Sequence, residues 1–177
     1  MKDKRFAKVL SIAAAVTALV GCFGTIHGGG IVEFFAVETG NGPGQPTAAS
    51  VAVAVTCNDA RDQLRATFHL TDNTNGVNFT AQLPWTPVED FDASVTTCAE
   101  AAAFVDAEGF SVVPAIVNAQ GQASGQMVAV VTEKGEFPEC EGEAQIVALE
   151  AIGDPAVLPG GLYAAAGCLV NGNIVFQ

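Results

Sequence analysis

Strict alternation of apolar and polar residues runs through the middle of this 177-residue chain and restricts its fold more than any other feature. Val51, Val53, Val55 and Cys57 would point one way from an extended backbone, with Ala52, Ala54 and Thr56 opposite. Leu64, Ala66, Phe68 and Leu70 likewise share a face against Arg65, Thr67 and His69. Val77, Phe79, Ala81 and Leu83 then alternate with Asn78, Thr80 and Gln82. A period of two is the mark of a strand with one dry and one wet face. Between the last two runs lies Thr71-Asp72-Asn73-Thr74-Asn75-Gly76, ending in the Asn-Gly pair that favours hairpin turns.

Further strands are expected at 31–37, 111–117, 126–132, 144–150, 162–169 and 173–176. They are separated by Gly-, Asn- and Pro-rich clusters such as Gly40-Asn41-Gly42-Pro43-Gly44, Asp154-Pro155, Pro159-Gly160-Gly161 and Asn171-Gly172. Many short strands with little helical period predict an all-β fold, a single antiparallel β-sandwich or barrel. Thr97-Cys98-Ala99-Glu100 has the form of a capping box ahead of an Ala-rich run. Residues 98–108 are read here as strand, with a short helix as the alternative.

The N-terminus follows another rule. Lys2, Lys4, Arg5 and Lys8 precede an apolar run from Val9 to Val20, shorter than the roughly 20 residues a spanning helix needs. This is the order of a secretory signal peptide. Its last residues, Leu19-Val20-Gly21-Cys22, resemble the lipobox of bacterial lipoproteins. The resemblance implies a diacylglyceryl group on Cys22 and cleavage just before it; an ordinary signal cut elsewhere is the alternative. The chain then divides into a signal peptide (1–21), a lipidated Cys with a glycine-rich leader (22–30) and a β-rich domain (31–177). Two or three acyl chains hold a protein firmly, at about 0.8 kcal/mol per buried methylene. The leader reaches at most about 25–30 Å, so the domain would sit close to the bilayer. Phe23, not Asp, follows the Cys, which by the same resemblance implies the outer membrane where there is one, and otherwise the exterior face of the cell membrane.

Cleavage would remove four basic residues and one acidic one, taking the formal charge from −12 to −15. Such an acidic chain repels phosphate backbones, so nucleic acid is not an expected partner. The expected attachment to membrane is the lipid, and any further partner would be an unidentified protein or carbohydrate.

With Cys22 acylated, Cys57, Cys98, Cys140 and Cys168 remain, an even number in an exported chain. No two of them have the close spacing of a zinc site. Three pairings are open; Cys57–Cys98 with Cys140–Cys168 is favoured because each closes within one half of the domain.

Little in the sequence points to chemistry. His27 lies among glycines and His69 on a polar strand face. There is no Gly-x-Ser-x-Gly elbow and no phosphate-binding loop. No catalytic, cofactor-binding or metal-ligating residue is expected. Glu89, Asp90 and Asp92 form one acidic group and Glu133, Glu136, Glu139, Glu141 and Glu143 another; both read as solvated loops, with an incidental structural calcium as the alternative. Trp85, with Pro84, Pro87 and Phe91 nearby, is expected to cap the core, an exposed aromatic ledge being the alternative.

The order of Gly28–Gly30, the Leu64–Leu83 hairpin, Val117-Asn118-Ala119-Gln120-Gly121, Glu133-Lys134-Gly135-Glu136 and Gly167-Cys168-Leu169-Val170-Asn171-Gly172 resembles a β-domain of unknown function in secreted bacterial proteins, often appended to adhesive or repeat-bearing chains. That resemblance implies a fold and no activity. The expectation is a non-catalytic, lipid-anchored envelope module, structural or surface-binding. The alternatives are a calcium-dependent adhesin-like module and a small hydrolase assembled around His69.

Overall fold

The computed structural model describes residues 25–58, 60–90, 97, 115–117, 123–132 and 134–176. Eight strands form its wall: β1 (Thr25–Thr39), β3 (Thr47–Asn58), β4 (Gln63–Asp72), β5 (Val77–Pro87), β6 (Ala115–Val117), β7 (Ala123–Val131), β9 (Glu143–Gly153) and β10 (Leu162–Phe176). Each pairs antiparallel with the next, and β10 pairs with both β9 and β1, so the sheet closes on itself as an up-and-down barrel. Two short strands lie off this ring: β2 (Gly42–Pro43) folds back on β1 and β8 (Gly135–Glu136) on β9. The all-β antiparallel expectation holds in its barrel form.

The alternation read from the sequence becomes the two surfaces of this wall. Val51, Val53 and Val55 are buried inside, in register with Leu70, Phe68 and Ala66 on β4. Leu70 and Phe68 are in turn opposite Phe79 and Ala81 on β5. Met127, Ala129 and Val131 face Ala151, Leu149 and Val147 on the far side. An eight-stranded barrel has an interior just wide enough for side chains, and Tyr163, Phe34, Leu70, Ile116 and Met127 fill it. Outside, β4 and β5 present Arg65, Thr67, His69, Asn78, Thr80 and Gln82. Apolar inside and polar outside on these strands is the reverse of a lipid-facing barrel. Among the described residues no helix is long and apolar enough to cross a membrane.

Three expectations are corrected. Gly28, Gly29 and Gly30 are not a leader: they lie within β1, paired with β3 on one side and β10 on the other. Asn171-Gly172 is not a turn, and the strands expected at 162–169 and 173–176 are one continuous strand, β10. The physical reason is shared. Gly30 pairs with Gly172, where a Cβ at Gly30 would fall on the Asn171 carbonyl oxygen and one at Gly172 on that of Gly29. Gly172 also has φ 103°, a backbone that side chains disfavour. These glycines let β1 and β10 meet closely enough to shut the barrel. The third correction is Trp85, which is 41% exposed on the outer wall, not set in the core. The register slips between Leu64/Thr86 and Ala66/Leu83, so Pro84 and Trp85 together oppose Arg65 in a β-bulge. The expected 98–108 strand or helix lies outside the described residues.

Beyond Leu169 the pairing of β10 with β9 stops. Gln145 continues it with its side chain: Nε2 donates to the Ile174 carbonyl at 2.7 Å, and the Ile174 N–H donates to Oε1 at 2.7 Å. One buried amide thus substitutes for a missing strand, and the backbone groups it meets stay satisfied.

Candidate functional site

The flank of the barrel around β9, β10 and β1 carries a second, smaller apolar cluster on its outer surface. Ala144, Ile146 and Cys168 are buried there, with Phe35, Phe137, Cys140 and Ala148 packed against them. Phe35 points outward by the ordinary alternation of a strand, Val32 and Phe34 being turned into the core and Glu33 and Phe35 away from it. The segment Phe137–Gly142 closes over this cluster and is tied down by the Cys140–Cys168 disulfide, whose Cα atoms are 5.8 Å apart. This is the pairing favoured from the sequence. Cys57 is also disulfide-bonded; Cys98 lies outside the described residues, as does Cys22.

Beside the disulfide runs an open groove of about 830 Å3. Glu33, Glu139, Glu141 and Glu143 line it, with Phe35 and Val170 among the apolar groups of its floor. The four carboxylates are exposed. Glu136 sits in β8, and Glu133 is outside the described residues. Among the described residues no group of three or more His, Cys, Asp or Glu side chains is arranged to hold a metal ion. Glu89 and Asp90 belong to a 3-10 turn, Val88–Asp90, after β5, while Asp92 and Phe91 lie outside the described residues. Chemically, the groove offers negative charge and apolar contact.

His69 stands on the outer face of β4. Its Nδ1 is 3.0 Å from the Thr80 hydroxyl and its Nε2 is 3.2 Å from that of Thr71. Both ring nitrogens are therefore engaged by threonines of the same sheet surface, and neither contact is to Ser or Asp. His27, on β1, is exposed.

The polar arrangement that sequence reasoning missed lies inside. Asp72, at the end of β4, is fully buried. Its Oδ1 accepts from the N–H groups of Thr74 and Asn75, and its Oδ2 from Asn75 Nδ2 and the Tyr163 hydroxyl at 2.7 Å. The turn Asn73–Gly76 is thus a four-residue loop built on Asp72, with Gly76 at φ 68°. Burial, above all, then the hydrogen bond and the charge of Asp72, push the Tyr163 hydroxyl far above its usual ionisation range. An Asp ahead of a polar turn is a readable Asx signal, but no local pattern links it to a tyrosine 91 residues away.

The third outward feature is a stack at one end of the barrel. The Arg65 guanidinium lies over the Trp85 ring, 4.9 Å from its centroid. Such a pair combines a flat apolar surface with a fixed positive charge.

The described residues define a closed eight-stranded antiparallel barrel with a packed apolar interior and one disulfide-strapped flank. Compared with protein-family models, curated proteins and solved structures, the chain matches none of them.

Proposed function

We propose that this chain is a lipid-anchored protein of a bacterial cell envelope, held by a diacylglyceryl group on Cys22, with the barrel serving as a non-catalytic structural or surface-binding module. The observation that carries the reading is Leu19-Val20-Gly21-Cys22 placed directly behind a basic head and an apolar run. The position of β1 supports it. The strand starts at Thr25, three residues after Cys22, so the anchor would be joined to the barrel wall with almost no stalk. The wall's polar outer rows on β4 and β5 suit a domain that rests on a membrane and does not enter it. The site is the outer membrane where the organism has one, and otherwise the exterior face of the cell membrane.

The test is metabolic labelling of the full chain with a fatty-acid probe in a bacterial host. Labelling is expected in the native chain and lost in Cys22→Ser; labelling that survives the substitution overturns the proposal.

A further inference from the structure

Resting on the anchor reading of Cys22, we propose that the barrel end carrying Trp85, Arg65 and Arg61 is a membrane-docking surface that sits against zwitterionic phospholipid headgroups. The argument begins with where the chain outside the described strands must end. Two residues, Phe23 and Gly24, separate Cys22 from Thr25, and the three steps from Cys22 to Thr25 span at most about 11 Å. A lipid on Cys22 therefore brings the Thr25 end of β1 to the headgroup layer.

The strand registers then place the surface. Thr25 pairs with Thr56 on β3, and Thr56 pairs with Arg65 on β4. Neighbouring strands are about 4.8 Å apart, so Arg65 lies roughly 10 Å around the wall from Thr25. Trp85 stacks beneath it from β5. The β3–β4 connection, with exposed Arg61 in it, follows Thr56 and Asn58 at the same end of the wall as the Thr25 start of β1.

Composition makes the location telling. After residue 21 the chain has two arginines and one tryptophan, and all three are at this end. Trp85 is 41% exposed on a barrel whose other large aromatics are mostly buried or partly buried. Tryptophan favours the headgroup level, where its amphipathic ring is half wet, and arginine pairs there with lipid phosphate. Asp62, Glu89 and Asp90 flank the same end. Together with the acidic chain they disfavour an anionic surface, so the surface proposed is a zwitterionic one.

Trp85 is the sole tryptophan, so its emission reads this surface alone. The test uses the protein extracted from membranes of cells expressing the full chain and reconstituted into phosphatidylcholine vesicles. Some vesicles would carry bromine high on the acyl chains. The expected result is flotation with the vesicles, a blue-shifted Trp85 emission, and loss of intensity to the bromolipid that is smaller in Arg65→Gln. Flotation with Trp85 undimmed overturns the docking surface and leaves the anchor standing. Failure to float overturns the anchor and the docking surface with it. An emission that shifts with protein concentration without bilayer, and ignores bromolipid, assigns this face to a second copy of the chain and overturns the proposal.

Discussion

Tyr163 on β10 donates its hydroxyl proton to Asp72 Oδ2 at the end of β4, a 2.7 Å hydrogen bond across the buried end of the barrel. It joins the hairpin turn read from the sequence to the strand that closes the sheet. Asp72 takes four hydrogen bonds in all, three of them from its own turn. Burial is tolerable for such a carboxylate because its lone pairs are matched.

Removing either partner should cost stability unequally. Tyr163→Phe leaves the turn contacts in place and forfeits one bond to a charged acceptor, about 1.5–3 kcal/mol. Asp72→Ala frees two backbone N–H groups as well as the tyrosine, and roughly 3 kcal/mol or more is expected. Denaturant midpoints of the two variants check the order. An Asp72→Ala loss no larger than that of Tyr163→Phe would contradict it.

A second consequence concerns alkaline pH. Tyr163 is fully buried and its ionisation is pushed upward, so the unfolded chain releases that proton before the folded one does. The contribution is complete below about pH 10, the unfolded value, and should fall by about 1.4 kcal/mol per pH unit above it. Because Tyr163 is the sole tyrosine, tyrosinate absorbance follows it without overlap. Absorbance is expected to rise only as the barrel unfolds. Ionisation near pH 10 with the fold intact would rule this out.

The Cys140–Cys168 disulfide closes a separation of 28 residues. Its loss in the double variant Cys140→Ala/Cys168→Ala is expected to cost roughly 3.5 kcal/mol on the chain-entropy model. The segment from Phe137 should then exchange its amide hydrogens faster and uncover Phe35, while the interior strands keep their protection. Hydrogen exchange resolved by segment distinguishes this from global weakening.

Gln145→Leu should expose the weakness at the barrel end. The leucine keeps the volume but leaves the Ile174 N–H and carbonyl without the partners that Gln145 supplies. A loss of about 2–3 kcal/mol is expected, with faster exchange at the Ile174 amide. Gln145→Glu should be worse, because a carboxylate oxygen would face the Ile174 carbonyl. A Glu variant as stable as the native chain would show that the amide does not hold this edge.

Much of the fold was legible wherever information is local. The faces of β3, β4 and β5 follow from alternation, since burial of one face requires a period of two. The Cys140–Cys168 pairing was one of three the sequence left open, and the structure decided it. Trp85 was misread because a bulge at Pro84–Trp85 breaks the alternation that would have turned it inward. As for the candidate site, the Leu19-Val20-Gly21-Cys22 pattern on which the anchor proposal rests is local, whereas the Arg65–Trp85 stack depends on cross-strand register.

By itself, then, the sequence determined that this chain forms antiparallel strands with a dry side, where its main hairpin turns, and which residues form the dry side of β3 to β5. Only the tertiary structure decided that the sheet closes. Closure pairs Ile26 with Phe176 and Gly30 with Gly172, residues from opposite ends of the chain. Backbone hydrogen bonds are indifferent to sequence distance and nearly so to side chain. A run of glycines therefore reads locally as a loose leader, and becomes a seam only when a second strand arrives close enough to need it.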